Sequence, residues 1–307
     1  MKNRIVPPPL KKGDTVRIVA PGGRLKSIEP FRDGIAVLEQ LGFAVRYPER
    51  LWPGHDLFSD SDSARAEELN QAFADDSCAG IMTLRGGYGC LRMLHGVDLG
   101  LVRSRPKLLI GFSDITVLLN HLLAQAGLLS LHGPVLTTLA GLTPPAIERF
   151  HQCLTGAWQN TVSFPGIEIL RGGAAVSGPL AGGNLASLVT MLGTPYDFSW
   201  KERVVFLEDT NEPLYRLDRL LTQLALAGKF NEAAAILLGD FFTASGREAS
   251  GDAAALEWLW QRVLDLTEAN RIPVWGGLPI GHLPGNMTMP IGAEARVNSS
   301  RGSLAFS

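Results

Sequence analysis

Residues 107–126, KLLIGFSDITVLLNHLLAQA, indicate how this chain folds. The run KLLIGF at 107–112 is short and apolar, as expected of a buried strand. Residues 114–126 are apolar over a length that favours a helix, and Gly127 follows where a helix would end. Ser113 therefore lies at a strand-to-helix turn, and such turns are typical of α/β folds.

The same alternation runs through the first half of the chain. Buried strands are predicted at 15–21, 43–48 and 80–84, and amphipathic helices at 28–41 and 61–73. A βαβα order implies a parallel sheet with right-handed crossovers and helices on both faces.

The pattern loosens in the second half. Spaced glycines and alternating apolar residues at 163–183 are typical of β-hairpins and a linker. Further elements are predicted there, namely strands at 204–209 and 234–241, helices at 214–227 and 253–266, and short strands within 280–306.

The length of 307 residues supports one large domain or two modest ones. Because the alternation of strands and helices weakens midway, two domains are the preferred interpretation. We expect an α/β domain over residues 1–150, a linker over 151–175 and a smaller β-rich domain over 176–307.

Composition excludes several functional classes. The formal net charge of −2 argues against a nucleic-acid-binding protein, which normally carries an excess of basic residues. No apolar run reaches the ~18 residues of a membrane span, and three prolines at 7–9 interrupt any signal peptide. The three cysteines form no CxxC pair and no histidine stands in HExxH, so we expect neither disulfides nor a bound metal. These features predict a cytoplasmic protein that does not bind membranes.

Two segments of the first half carry candidate chemistry. Ser113 can project its hydroxyl from the carboxyl edge of the sheet, as in a nucleophile elbow, although Ile115 replaces the usual second glycine. The alternative is an ordinary helix cap. The loop RGGYG at 85–89 can direct backbone N–H groups at an oxyanion, or it can be a turn without function. Arg85 can pair with a carboxylate or form a surface ion pair.

Two residues of the second half complete a possible catalytic set. Glu208 ends a predicted buried strand, and His282 lies in a loop between glycines and prolines. Each alone fits an ordinary surface residue. A serine nucleophile needs a base, however, and the base needs an orienting carboxylate, so Ser113, Glu208 and His282 match the three roles.

Eight short motifs together resemble one known family. They are APGG (20–23), RGGYG (85–89), GFSD (111–114), HGP (132–134), GGNL (182–185), LGTP (192–195), LED (207–209) and GH (281–282). Their identity, order and spread over nearly the whole chain resemble the LD-carboxypeptidase family of serine peptidases. The resemblance implies a flavodoxin-like α/β N-terminal domain, a smaller mostly β C-terminal domain and an active site in the groove between them.

The resemblance also implies a role for each matching residue. It implies a triad with Ser113 as nucleophile, His282 as base and Glu208 as the partner of that base. The implied oxyanion hole consists of backbone N–H groups of Asp114 and of Gly86 or Gly87. The candidate substrate contacts in these motifs are Arg85, Tyr88 and Asn184.

The implied reaction removes the terminal D-alanine from the murein tetrapeptide during cell-wall recycling, in a cytoplasmic homodimer without a cofactor. One alternative is a microcin-C-type immunity peptidase that cleaves a peptidyl-nucleotide amide. The chain has no long insertion with a nucleotide-stacking tryptophan, which disfavours that activity, whereas Ala181 replaces an aromatic residue frequent in murein-acting members. A second alternative, from another class, is a non-catalytic protein that binds an anionic ligand.

Overall fold

A computed structural model of the chain describes residues 4–162, 164, 166–242 and 249–307. The chain divides into two compact units. Unit 1 comprises Met1–Trp158 and Pro284–Gly292, and unit 2 comprises Gln159–Leu283 and Ala293–Ser307.

The helices and strands are numbered here in chain order. As far as residue 158 they are β1 Thr15–Val19, α1 Glu29–Gln40, β2 Ala44–Arg46, α2 Asp62–Ala74, β3 Gly80–Thr83, α3 Cys90–Met93, α4 Leu99–Ser104, β4 Leu108–Gly111, α5 Ile115–Ala126, β5 Ser130–His132, α6 Leu136–Leu139 and α7 Pro144–Leu154, with a 3-10 turn at Leu94–Gly96. The remainder are β6 Thr161–Val162, β7 Glu168–Arg171, β8 Val176–Asn184, α8 Leu185–Val189, β9 Val204–Thr210, α9 Leu214–Leu226, α10 Lys229–Glu232, β10 Ala235–Phe242, α11 Ala249–Leu266, β11 Val274–Gly276, β12 Met289–Ile291, β13 Glu294–Asn298 and β14 Ser303–Phe306.

Unit 1 contains a six-stranded sheet in the order β2-β1-β3-β4-β5-β12. All neighbouring strands are parallel except β12, which runs antiparallel to β5. The order 2-1-3-4-5 is that of flavodoxin-like folds, which confirms the predicted fold class. Its central strands β3 and β4 are buried throughout, as expected of short apolar runs covered by helices on both faces.

Helix ends in unit 1 follow local sequence signals. The hydroxyl of Ser61 accepts a hydrogen bond from the backbone N–H of Ala64 at the start of α2. Gly127 ends α5 with φ of 75°, a left-handed conformation that costs glycine little. Ser61 thus fixes where α2 begins, and Gly127 fixes where α5 ends.

Unit 2 contains an eight-stranded mixed sheet in the order β6-β14-β13-β8-β9-β10-β11-β7. The central strands β8, β9, β10 and β11 are parallel, whereas the outer pairs are antiparallel. Helices α9 and α11 form the crossovers from β9 to β10 and from β10 to β11. The β-rich second domain with β/α elements is thus confirmed.

The unit boundaries differ from the sequence expectation in two places. Residues 284–292 belong to unit 1, not to the domain expected over 176–307, because β12 pairs with β5 through Met289 and His132. The stretch expected as a linker, 151–175, contains the end of α7 and the strands β6 and β7. Residues 163 and 165 of that stretch lie outside the described residues. A pairing between residues more than 150 positions apart leaves no trace in local periodicity, so the sequence did not reveal it.

Within the described parts of the chain, no helix combines the length and apolar character needed to cross a membrane.

Candidate active site

The turn between β4 and α5 holds Ser113 in a strained conformation. Its φ is 65°, in the left-handed region that residues with a side chain rarely adopt. Such strain persists only where the surrounding structure enforces it, and it concentrates at functional sites. A strand, a left-handed serine and then a helix make up the geometry of a nucleophile elbow. Ile115, in place of the second glycine, begins the helix and packs in the core.

The RGGYG loop lies directly against this serine. A Cβ added at Gly86 would come within 2.7 Å of the Ser113 Cβ and 2.9 Å of its Oγ. Gly87 adopts φ of 101°, which also favours glycine. These two glycines therefore let the backbone of the loop approach the hydroxyl of Ser113.

Three backbone N–H groups near Ser113 donate no hydrogen bond within the part of the chain that the structure describes. They belong to Gly86, Gly87 and Asp114, the residues predicted to form an oxyanion hole. Backbone N–H groups in folded proteins are paired in more than 90% of buried cases, so the unpaired donors of the buried Gly86 and Asp114 are unusual, whereas Gly87 is exposed. Donors that are fixed before a reaction begins can stabilise a negative charge that develops there.

Two buried charged side chains hold the loop in position. The carboxylate of Asp114 accepts a hydrogen bond of 2.8 Å from the backbone N–H of Cys90, directly after the loop. Burial raises the pKa of Asp114, although this hydrogen bond and Arg65 oppose the rise. The guanidinium of Arg65 is fully buried and donates to the carbonyl oxygens of Gly89, at 3.0 Å, and of Pro21. Asp114 therefore links the loop to the start of α5, and Arg65 links it to the end of β1.

Sequence reasoning missed Arg65, although a signal for it exists. Arg65 shares one face of α2 with Leu69, Ala72 and Phe73, all of which are buried. A charged residue on the apolar face of a helix requires buried partners. The position of Arg65 on the apolar face of α2 could therefore have indicated that its guanidinium has buried partners at the site.

The other two predicted residues of the loop point elsewhere. The guanidinium of Arg85 donates a hydrogen bond of 2.9 Å from Nη1 to the carbonyl oxygen of Arg24, and burial lowers its pKa. The ring of Tyr88 is 57% exposed and lies 5.4 Å from the ring of Phe58. Neither side chain forms an ion pair among the described residues.

In unit 2, Glu208 and His282 form a hydrogen-bonded pair. Glu208 lies fully buried on β9, and its Oε2 is 2.8 Å from Nδ1 of His282. The second oxygen, Oε1, has no hydrogen-bond partner among the described residues. Gly281 has φ of 127°, and a Cβ there would lie 2.9 Å from Glu208 Oε2. Glycine at 281 therefore makes room for the carboxylate next to the imidazole.

The environment of His282 favours its protonated form. Burial alone would lower the pKa of His282, but the hydrogen bond and charge of Glu208 outweigh it, with further contributions from Asp209 and Asp240. The net result is a pKa above the ordinary value for histidine. With a proton on Nδ1 shared with Glu208, the lone pair for accepting another proton lies on Nε2.

Asp209, which sequence reasoning did not assign, anchors the residues beside this pair. Its carboxylate accepts hydrogen bonds from Asn184 Nδ2 at 3.0 Å and from the backbone N–H groups of Ala186 and Thr210. Burial and the adjacent charge of Glu208 raise the pKa of Asp209 to about 6. Asn184, predicted as a substrate contact, is buried and caps α8 by accepting from Ser187.

The structure thus brings the predicted residues together in two sets. Unit 1 collects Ser113 with the N–H groups of Asp114, Gly86 and Gly87, and unit 2 collects Glu208 with His282. The described residues include no group of three or more His, Cys, Asp or Glu side chains that could hold a metal ion.

Comparison with known proteins identifies both units. The LD-carboxypeptidase N-terminal domain matches residues 16–133, and the LD-carboxypeptidase C-terminal domain matches residues 177–297. A murein tetrapeptide carboxypeptidase of Pseudomonas aeruginosa is 34% identical over 253 residues, which cover 77% of this chain and 78% of that protein.

Solved structures show the same fold over nearly the whole chain. A muramoyltetrapeptide carboxypeptidase from Oxalobacter formigenes is 30% identical, with a TM-score of 0.78 over 95% of this chain and 97% of that one. An MccF-like protein from Bacillus anthracis is 27% identical, with a TM-score of 0.87 over 98% of this chain and 99% of that one. These similarities, together with the two domain matches, show that the chain belongs to the LD-carboxypeptidase family of peptidases.

Proposed function

We propose that this protein is a serine peptidase that removes the terminal D-alanine from murein tetrapeptide, with Ser113 as nucleophile, His282 as base and Glu208 as its orienting carboxylate. The observation that carries the proposal is the strained Ser113 next to the unpaired backbone N–H groups of Asp114 and Gly86. The names of the relatives from Pseudomonas aeruginosa and Oxalobacter formigenes support the choice of substrate. The proposal includes a cytoplasmic homodimer, as the family resemblance implies.

In the proposed reaction, Nε2 of His282 takes the hydroxyl proton as Ser113 Oγ attacks the scissile carbonyl carbon. The carbonyl oxygen becomes an oxyanion, which the N–H groups of Asp114 and of Gly86 or Gly87 stabilise. His282 then gives its proton to the departing amine of D-alanine, leaving an ester on Ser113. A water molecule hydrolyses that ester by the same proton transfers in reverse.

Glu208 supports both proton transfers while it stays ionised. Its charge stabilises the imidazolium that forms while His282 carries two protons, and its hydrogen bond fixes the ring orientation. His282, paired with Glu208, can therefore act as a base that is neutral before each proton transfer and positively charged until it passes the proton on.

The proposal is tested by mass spectrometry of products from a peptide panel. The panel contains murein tri-, tetra- and pentapeptides, each with an L- or a D-residue at the carboxyl end. We expect release of D-alanine from the tetrapeptide alone. An aminoacyl sulfamoyl adenosine forms a separate arm, because the family resemblance leaves a microcin-C-type immunity peptidase as the second candidate. Cleavage of the nucleotide amide without cleavage of the tetrapeptide would overturn the murein assignment.

Gly86→Ala is expected to lower kcat by about 100-fold, the effect of losing one oxyanion-hole donor. The new Cβ would lie 2.7 Å from the Ser113 Cβ, so either the serine or the loop must move. The measurement is kcat for D-alanine release, with circular dichroism to check the fold. Gly141→Ala is the matched control, because its Cβ would meet only the Thr138 carbonyl oxygen at 3.6 Å. Equal activity of the two variants would contradict the role of the loop.

A further inference from the structure

A pocket of about 320 Å³ opens in unit 1 on the loop that follows β1. Its lining combines cations with an indole and aliphatic groups, from Arg24, Leu25, Lys26, Trp52, Pro53 and Gly54. These residues follow the carboxyl ends of β1 and β2, and open α/β sheets bind their ligands outside the carboxyl ends of the strands.

Hydrogen bonds connect the wall of this pocket to the loop beside Ser113. The carbonyl oxygen of Arg24 accepts from Arg85 Nη1 at 2.9 Å. One residue earlier, the backbone N–H of Gly23 donates to the carbonyl oxygen of Gly86, also at 2.9 Å. Because Gly86 lies against Ser113, these hydrogen bonds connect the backbone that lines the pocket to the backbone of the proposed oxyanion hole.

The two cations of the pocket have no acidic partner in the described chain. Neither Arg24 nor Lys26 forms an ion pair or a side-chain hydrogen bond there, and both are exposed. Two carboxylates on neighbouring segments already accept hydrogen bonds from other groups. Glu68 accepts from Trp52 Nε1 at 2.7 Å and from the backbone N–H of Ala20, and Glu29 accepts from the hydroxyl of Ser27.

The aromatic wall is held rigidly. Besides its bond to Glu68, Trp52 packs edge-on against Phe31 with ring centroids 6.2 Å apart. A fixed indole beside two uncompensated cations suits a ligand with a carboxylate on an aliphatic chain, since the chain packs on the ring and the cations pair with the carboxylate.

We propose that this pocket binds a carboxylate of the peptide other than the one on the departing D-alanine. The inference rests on the proposed function, and it makes Arg24 and Lys26 specificity residues for acidic peptides. The tetrapeptide offers two such groups, namely the α-carboxylate of its γ-linked glutamate and the carboxylate on the side chain of its diamino acid. Both present the same chemistry to the pocket.

The test compares two double variants that remove the same charge. In Arg24→Gln/Lys26→Gln, we expect KM for the tetrapeptide to rise about 10-fold or more, the usual effect of losing a hydrogen bond between charged groups, with kcat within about 2-fold. Lys11→Gln/Lys12→Gln is the control, because both lysines are exposed and neither lines the pocket. An equal rise of KM in the control would overturn the pocket assignment.

Substrate variants identify the carboxylate. One peptide carries an amide on the glutamate α-carboxylate, a second has lysine in place of the diamino acid, and a third carries both changes. The KM ratio of pocket variant to wild type should fall towards one for the peptide that lacks the bound carboxylate, and for the doubly neutral peptide. A ratio that stays unchanged on the doubly neutral peptide would overturn the proposal.

A binding measurement separates this inference from the proposed function. Calorimetry compares tetrapeptide binding to Ser113→Ala and to Ser113→Ala with Arg24→Gln/Lys26→Gln. If the wild type releases no D-alanine but binding still weakens about 10-fold in the pocket variant, the proposed reaction fails and the pocket stands. If turnover is normal and KM is unchanged in the pocket variant, the pocket fails and the reaction stands. Absence of any tetrapeptide binding would refute both.

Discussion

Ser113→Ala is expected to lower kcat for D-alanine release by about 10⁶-fold, the effect seen when the serine nucleophile is removed from a triad. In the proposed reaction the side chain at 113 supplies the atom that bonds to the carbonyl carbon, and alanine has no hydroxyl to take its place. The measurement is single-turnover release of D-alanine from purified tetrapeptide. More than about one tenth of normal turnover would rule out Ser113 as the nucleophile.

The strain at this turn supplies an independent control on folding. Alanine has the same difficulty as serine at φ of 65°, whereas glycine adopts this conformation readily. Ser113→Gly should therefore be as inactive as Ser113→Ala but have a free energy of unfolding higher by about 1 kcal/mol, measured in urea. Equal stabilities for the two variants would mean that the backbone relaxes in the mutants.

Glu208→Gln is expected to reduce kcat by about 10³- to 10⁴-fold, as when the carboxylate of another serine triad becomes an amide. The amide keeps the shape of the side chain but removes the charge that stabilises protonated His282 across 2.8 Å. Because Glu208 is fully buried, the loss of its charge is only weakly screened by solvent. Glu257→Gln is the matched control, because Glu257 is exposed on α11 and is expected to keep normal turnover.

The pH dependence distinguishes an orienting role of Glu208 from a purely structural one. His282 must be neutral to accept the proton, so kcat/KM should rise with pH through the raised pKa of His282. Glu208→Gln removes the negative charge that raises this pKa and leaves at most a neutral hydrogen bond, so the acidic limb should move to lower pH. A limb that stays in place while kcat falls would indicate that Glu208 does not act on His282.

The sequence carries the fold of unit 1 in local patterns. Short apolar runs became β3 and β4, and the apolar segment after Ser113 became α5 with Gly127 as its cap. Local patterns do not predict which distant segments pair in a sheet. The three residues of β12 follow a loop and contain a proline, and their place beside β5 depends on the fold of the whole unit.

The candidate site shows the same division. Motif residues at restrictive positions stand out in sequence, such as Gly86, which lies too close to Ser113 for a side chain, and Ser113 with its positive φ. Buried residues that hold the site in place do not stand out in this way. In the sequence, Asp209 looks like an ordinary polar residue at the end of a strand. In the structure it holds Asn184 and the start of α8 through hydrogen bonds that span 25 and 23 residues.

The return of β12 to the sheet of unit 1 determines how this protein can be divided. The backbone passes between the units three times, after Trp158, Leu283 and Gly292. A fragment ending at Trp158 would lack β12, and β5 would then present an unpaired edge, which is a template for aggregation. No single cut yields two self-sufficient halves, so a gene for unit 1 alone needs residues 284–292 joined to it by a designed linker.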